Sequence, residues 1–216
     1  MLTTNELLDY RCFGYFYELP TGEEARKYFD IVHHELVDEN TGEPQKAAQP
    51  DIIIVLLNPA SVNPMNGLKG YNCDFSPAIP ANVHASLALL INTKNYQYLR
   101  ILNLSDFAYS NSESIISAFP RLEMKLPEHS LFDPSRAEDF DRYFVKGIPV
   151  IIAWGKHKST ANLAYRALNK IKAISEQEGS FLLNISEEEQ VDDNEMEVVN
   201  FAWKKLPKKP ISYACV

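Results

Sequence analysis

Three predicted strands of this sequence each end at or just before residues whose side chains could form a binding site. In chain order these residues are Asn58, Ser61, Asn103, Trp154 and His157. The carboxyl ends of neighbouring parallel strands meet at one edge of a sheet, which is where open α/β proteins bind ligands. An Asn side chain both donates and accepts hydrogen bonds, so it suits a nucleobase edge or the positioning of a water molecule. The pattern therefore predicts a polar binding pocket, not a nucleophilic site.

The elements that must position these side chains alternate between strand and helix. Near-continuous apolar runs predict strands, and helical periodicity or turn signals lie between them. The predicted strands are 51–57, 98–104, 148–154 and 180–185, and the predicted helices are 81–93, 112–119, 135–145 and 159–176. Strand–helix alternation is typical of a mainly parallel sheet. We therefore expect one α/β domain over residues 1–216, a three-layer arrangement with a mainly parallel four-stranded central sheet.

The segments outside this core are harder to assign. Residues 1–50 are predicted to form a strand or hairpin packed on the core of residues 51–216, although 28–37 fits a helix as well as a strand. The Pro-, Asn- and Gly-rich stretch 58–80 is a long loop, and long loops in compact domains are often functional. Tyr71 and Phe75 lie in this loop and are candidates to stack on a base.

Composition and charge limit the partners. A formal net charge of −8 argues against coating nucleic acid or an anionic membrane by bulk charge. Lys208 and Lys209, in a small basic cluster, are candidate phosphate contacts, and plain solvated charge is the alternative. The three Cys lack metal-type spacing, and no targeting or membrane-spanning segment is visible, so we expect free thiols and a cytoplasmic location. We expect no metal and no cofactor, since the dinucleotide and phosphate-loop motifs are absent from the sequence.

Three ordered motifs resemble those of a known family. The motifs L-N-P-A-S, N-L-x-x-x-A and A-W-G-x-H, which begin near Leu57, Asn103 and Ala153, resemble a family of uncharacterised bacterial proteins over nearly the whole chain. That family typically shows L-N-P-S, N-L-F-A and A-W-G-x-H. More remotely, the same order is similar to the uracil-DNA glycosylase superfamily, which carries G-Q-D-P-Y-H or G-I-N-P-G, then L-L-L-N, then L-L-W-G after its core strands. This resemblance implies a uracil-DNA-glycosylase-like fold.

The resemblance also implies roles for individual residues. Asn58 would position the attacking water, Asn103 would read the base edge, and Trp154 would shape the pocket wall, with Ser61 beside them. The function expected is a pocket for a nucleobase, nucleotide or nucleic acid, with hydrolysis of an N-glycosidic bond. His157, Asn103 or Lys209 would then stabilise the departing base, because a preorganised donor at such a site contributes about 3–4 kcal/mol.

One departure from the glycosylase pattern supports an alternative function. Those enzymes end with a histidine motif of H-P-S-P type, whereas this chain has no His after His157 and carries K-P-I-S from Lys209. A catalytically inert binding or interaction module on the same fold is therefore the alternative. A hydrolase acting on a free nucleoside is a third reading, and the acidic charge fits it better than DNA repair.

Overall fold

Eight strands and three helices have assigned residue ranges in the part of the chain that the structure describes. The structure, a computed structural model, describes residues 9–59, 64–80, 84, 87–88, 95–109, 112–155, 158–178, 182–186 and 202–205. The strands are β1 (Tyr10–Glu18), β2 (Glu24–His33), β3 (Ile52–Leu56), β4 (Ser76–Pro77), β5 (Tyr98–Asn103), β6 (Val150–Ala153), β7 (Leu182–Ser186) and β8 (Ala202–Lys205). The helices are α1 (Ser112–Lys125), α2 (Ala137–Tyr143) and α3 (Ala161–Glu178).

The strands form one mixed sheet in the order β4-β1-β2-β5-β3-β6-β7-β8. The four predicted strands are the adjacent β5, β3, β6 and β7, and every pairing among them is parallel. This confirms the α/β class and the parallel centre of the sheet. The expectation of four strands was too low, because antiparallel strands extend the sheet on both sides. Segment 1–50 supplies two of them, β1 and β2.

Strand β2 resolves the ambiguous segment 28–37. It pairs with β1 on one side and with β5 on the other, so its residues from Tyr28 to Val32 are buried on both faces of the sheet. A strand buried on both faces has no alternation of apolar and polar residues, which is why its pattern also fitted a helix. The strand ends at His33, and a short 3-10 turn follows over His34–Leu36.

Two predicted helix boundaries were wrong. Helix α1 runs on to Lys125 with Pro120 inside it, beyond the predicted end at residue 119. The spacing of Ser135 and Glu138 predicts a helix capped by Ser135. Instead, Asp133 accepts hydrogen bonds from the backbone N–H of Ser135 at 3.0 Å and from its Oγ at 2.7 Å. Asp133 therefore caps a 3-10 turn over Pro134–Arg136 that leads into α2.

The two faces of the sheet bury separate cores. Side chains of a strand point alternately to the two faces. One face carries Ile54, Ile101 and Phe29 and packs against the helical residues Leu87 and Ala88. We call it the Asn103 face, because Asn103 follows Ile101 by two residues. The opposite face packs against α1, α2 and α3. The core on this side combines strand residues with helix residues: Ile53, Val55, Leu102, Phe119, Phe140, Leu163 and Ile171.

Candidate functional site

The ends of three parallel strands meet at one edge of the sheet. Leu56 of β3 pairs with Asn103 of β5 on one side and with Ala153 of β6 on the other. Asn58 and Trp154 follow directly after β3 and β6, so both lie at the same edge. The predicted site residues Ser61, His157, Lys208 and Lys209 lie outside the described residues.

Asn58 joins the two segments that follow β3 and β5. Its Nδ2 donates to the carbonyl oxygen of Pro59 at 2.9 Å and to that of Tyr109 at 3.0 Å. A side-chain amide nitrogen carries two hydrogens, so both donors of Asn58 are already used. Only its carbonyl oxygen is left to position a water molecule or a ligand.

Asn103 is fully buried, and neither polar atom of its side chain has a hydrogen-bond partner in the described part of the structure. An unsatisfied buried polar group costs about 1–3 kcal/mol. Native proteins leave few such groups, and each one calls for a physical explanation. Asn103 is thus the predicted site residue whose donor and acceptor are both unused in the described part of the structure.

The other predicted pocket residues divide between the two faces. Tyr71 packs on Phe16, which belongs to the core of the Asn103 face, and its hydroxyl donates to Glu24 at 2.9 Å. Trp154 packs instead against the core of the opposite face. The expectation that Trp154 shares a pocket wall with Asn103 is therefore not met, because one residue along β6 reverses the side-chain direction.

Phe75 also lies on the opposite face. Its ring is 6.2 Å from that of Tyr28 and 6.4 Å from that of Phe13, and its backbone N–H donates to the Tyr28 hydroxyl at 3.0 Å. Tyr28 and Phe75 pack with the core that faces α1 and α3. Phe75 is therefore a packing residue and does not join Asn103, whereas Tyr71 does remain on the Asn103 face.

Sequence reasoning missed Arg26, which lies on the Asn103 face. Arg26 pairs with Phe16 across the β1–β2 ladder and is only 1% exposed. Its Nε, Nη1 and Nη2 have no hydrogen-bond partner in the described residues. The guanidinium carbon instead lies 4.7 Å from the centroid of the Phe29 ring. A charged residue in the polar stretch from Glu24 to Lys27 is expected to be exposed, so the sequence carries no signal that this one is buried.

Phe29 connects Arg26 with two further polar residues. The imidazole of His84 stacks on the Phe29 ring with a centroid distance of 4.0 Å. Phe29 pairs with Ile101, so Asn103 is its diagonal neighbour on the same face, a separation of roughly 7–8 Å in antiparallel sheets. We refer to Arg26, Phe29, His84 and Asn103 as the Arg26 cluster.

Burial sets the electrostatics of the Arg26 cluster. Desolvation lowers the pKa of Arg26 to about 9, so the guanidinium still carries its charge at neutral pH. Burial, followed by the nearby Arg26 charge, lowers the pKa of His84 to about 3. The imidazole is therefore neutral at physiological pH. The cluster as a whole presents one positive charge together with a neutral ring and a neutral amide.

Open cavities lie elsewhere on the described surface. One of about 290 Å³ is lined mainly by β1 residues and the loop before the partly described helix, including Cys12, Met65 and Pro77. Another of about 260 Å³ lies around Tyr17 and Arg136. Neither is lined by Arg26, Asn58 or Asn103. Both cavities therefore lie away from these three residues.

A second arrangement resembles a catalytic triad but is closed to substrate. His129 Nδ1 lies 2.9 Å from Ser105 Oγ, and its Nε2 lies 3.3 Å from Glu123 Oε1. These residue types match a nucleophile, a base and an acid. Ser105 and His129 are both completely buried, and Glu123 is paired with Arg166 at 2.6 Å. The arrangement therefore ties the segment after β5 to the segment after α1, and we assign it a structural role.

Gly70 positions the loop that carries Tyr71, and this leads to a testable prediction. A Cβ at this position would overlap Pro64 and Ser76. We expect Gly70→Ala to lower the free energy of unfolding by about 1–3 kcal/mol through overpacking, measured by urea denaturation. Asn66→Ala, at an exposed position in the same loop, is the control and should change stability by less than about 0.5 kcal/mol. Equal stability of the two variants would contradict the close packing of Gly70.

The fold and the site together define an α/β protein with a mixed sheet and a buried polar cluster near its strand ends. No known family model matches the sequence, and no curated protein matches it. Among solved structures, a serine-to-alanine mutant of the feruloyl esterase module from Clostridium thermocellum, complexed with sinapinate, is similar with a TM-score of 0.32 and 10% identity. The match covers 85% of this chain and 70% of the esterase module. A similarity this low assigns neither a fold family nor a function.

Two features are absent from the described residues. Among them, no helix combines the length and the apolar character that crossing a bilayer requires. The same residues contain no group of three or more His, Cys, Asp or Glu side chains arranged to hold a metal ion.

Proposed function

We propose that this protein binds a nucleobase or nucleotide at the carboxyl ends of β5 and β3. The observation that carries the proposal is the buried side chain of Asn103, whose donor and acceptor both lack partners among the described residues. A nucleobase edge offers adjacent donors and acceptors, so one Asn can bond to it in both directions. Such a ligand would remove the cost of leaving two polar atoms of Asn103 unsatisfied.

Hydrolysis of an N-glycosidic bond is the reaction proposed for this site. The carbonyl oxygen of Asn58 would hold the water, because the amide nitrogen already donates to two backbone carbonyls. Tyr71 lies on the Asn103 face and is the proposed stacking residue. The resemblance of the three motifs to the uracil-DNA glycosylase superfamily supports both the reaction and a fold of that type, and Ser61 and His157 belong to the same proposal.

A catalytically inert binding module is the second candidate function. The observation that favours it is the engagement of both Asn58 donor hydrogens by Pro59 and Tyr109, which is typical of a residue that fixes two loops. The sequence K-P-I-S from Lys209, which stands where glycosylases carry H-P-S-P, points the same way. The two functions differ in one measurable respect: both bind the ligand, and only the enzyme releases a free base.

Replacing Asn103 by Ala tests the proposed pocket. We expect the wild type to be stabilised by a nucleobase, nucleoside, nucleotide or short abasic-site DNA, by about 2.7 kcal/mol at 100 times Kd. Asn103→Ala should fold with equal or higher stability without ligand, because the substitution removes unsatisfied polar atoms, and it should lose the ligand response. Thermal-shift measurements over this panel check both expectations.

A surface variant and a product assay complete the test. Asn169→Ala changes an exposed Asn of α3 and should keep the full ligand response. Binding of equal strength by Asn103→Ala would contradict the assignment of the ligand edge, and a wild type that ignores the whole panel would contradict the proposed function. Chromatography of a bound nucleoside then separates the two candidates. Release of free base that Asn58→Ala abolishes supports hydrolysis, and binding without release supports the inert module.

A further inference from the structure

We infer that Arg26 binds a small anion, and that the ligand of the proposed site is therefore a phosphate monoester such as a nucleoside monophosphate. This inference deepens the proposed function and rests on it for the identity of the nucleoside half. The anion half rests on separate observations, which concern Arg26 alone. A planar guanidinium offers five N–H donors in a fixed fork that matches the oxygens of a phosphate or carboxylate.

Arg26 differs from the other arginines that are buried or half-buried in the described residues. Arg100 binds the carboxylate of Asp30 through Nε at 2.8 Å and Nη2 at 2.7 Å. Arg136 and Arg166 pair with carboxylates as well, on Asp106, Asp139, Asp133 and Glu123. Arg26 is the most deeply buried of the four and is the one without a hydrogen-bonding carboxylate.

No acid among the described residues accepts a hydrogen bond from the Arg26 guanidinium, and Oδ1 of Asp106 is itself without a hydrogen-bond partner. The carboxylate with the largest electrostatic effect on Arg26 is that of Asp106. Oδ2 of Asp106 already accepts from the Tyr17 hydroxyl at 2.8 Å and from Arg136 Nη1 at 2.5 Å. The link between Arg26 and Asp106 is a backbone bond, from the Arg26 N–H to the Asp106 carbonyl at 2.8 Å. The Arg26 guanidinium thus keeps its hydrogen-bonding capacity for something else.

The ring of Phe29 does not replace an anion. A guanidinium over an aromatic ring gains electrostatic attraction, but this contact leaves its N–H donors unbonded. A buried charge without a partner is among the most costly features a fold can contain. An anion that accepts from Arg26 resolves this cost, and it does so on the face that also carries Asn103, a second buried residue with unsatisfied atoms. One ligand with an anionic group and a heterocycle would engage both.

Arg26→Met is the central variant, because Met has a similar length and no charge. In phosphate-free buffer we expect Arg26→Met to unfold at higher urea than the wild type, since an uncompensated buried charge is removed. Inorganic phosphate should stabilise the wild type and leave Arg26→Met unchanged. A nucleoside 5′-monophosphate should bind the wild type roughly 10- to 100-fold more tightly than the matching nucleoside, and Arg26→Met should bind both equally. Because the side chains of the Arg26 cluster are buried, ligand entry is expected to be slow, and each sample is incubated to equilibrium.

Two further variants keep the test decisive. Lys27→Met removes the neighbouring cation, which pairs with Asp139 and lies over Tyr15, and it should preserve the preference for monophosphate. Arg26→Lys keeps the charge without the fork, so it should reduce that preference even if Arg26→Met fails to fold. Phosphorus NMR titration of the wild type with inorganic phosphate measures the anion site without any variant.

The outcomes separate this inference from the proposed function. Equal binding of nucleoside and monophosphate by the wild type, with no response to phosphate, overturns the anion site and leaves the proposed nucleobase pocket standing. Arg26-dependent binding of inorganic phosphate, with no added affinity for any nucleotide, supports the anion site and overturns the nucleobase. Lower stability of Arg26→Met in phosphate-free buffer would show that Arg26 is compensated within the protein, and this also overturns the inference.

Discussion

Asp30→Ala is expected to lower the free energy of unfolding by about 3–5 kcal/mol, because it leaves Arg100 buried without its counter-charge. Asp30 is completely buried and Arg100 is 6% exposed. Arg100 donates to both carboxylate oxygens, at 2.8 and 2.7 Å, and the Tyr98 hydroxyl donates to Oδ2 at 2.6 Å. Both charges are therefore desolvated, and each depends on the other. Urea denaturation of the two proteins measures the difference.

The matched control removes the whole buried network at once. Asp30→Leu, Tyr98→Phe and Arg100→Met in one chain leave no unpaired charge and no orphaned hydroxyl. Replacement of a buried ion pair by apolar residues of similar volume is often neutral or stabilising. We expect the triple variant to lie within about 1–2 kcal/mol of the wild type. A cost below about 1 kcal/mol for Asp30→Ala alone would contradict the picture of a mutually dependent pair.

The α/β class and the meeting of the strand ends could be predicted because both depend on patterns of apolar residues that extend over whole segments of the sequence. The run from Ile52 to Leu57 contains no polar residue, which is typical of a strand inside a parallel sheet. The parallel order then places the residues after β3, β5 and β6 at one edge, as the register of Leu56 with Asn103 and Ala153 confirms. Neither step needs any knowledge of side-chain packing.

The direction of individual side chains could not be predicted in the same way. Ala153 and Asn103 both pair with Leu56, so they occupy the same register position in the sheet. Trp154 is the next residue after Ala153, and its side chain therefore lies on the opposite face. The register between strands is a tertiary property, and the sequence motifs do not record it. Proximity at a sheet edge was therefore predictable, whereas membership of one pocket was not.

The burial of Arg26 could not be predicted from the sequence for a related reason. Glu24 to Tyr28 reads as a polar, charged stretch, and charged residues are rarely fully buried unless they are paired. Strand β2 becomes internal only because β1 and β5 pair with it on both sides. Arg26 is therefore buried at a position where the local sequence predicts exposure.

Acidification is expected to destabilise the protein between pH 6.5 and about 4, in part through His129. This residue is completely buried, and burial, together with the nearby Arg166 charge, lowers its pKa from 6.5 to about 4. Between these pH values the unfolded chain binds the proton and the folded chain does not, so stability falls as pH falls and this contribution levels off below about 4. The loss from His129 is at most about 3 kcal/mol.

A variant isolates this contribution from those of the other acid-sensitive groups. His84 has a pKa lowered to about 3 and titrates in the same direction, while the lowered pKa values of Asp133 and Asp139 act mainly at lower pH. All three remain in His129→Gln, so the difference in slope from the wild type, measured by urea denaturation at pH 7, 6, 5 and 4.5, reports His129. We expect the variant to lose less stability on acidification, whereas His34→Gln, at an exposed position, should keep the wild-type slope. Parallel curves for wild type and His129→Gln would mean that His129 binds its proton equally in the folded and unfolded chains, which would contradict a lowered pKa of His129.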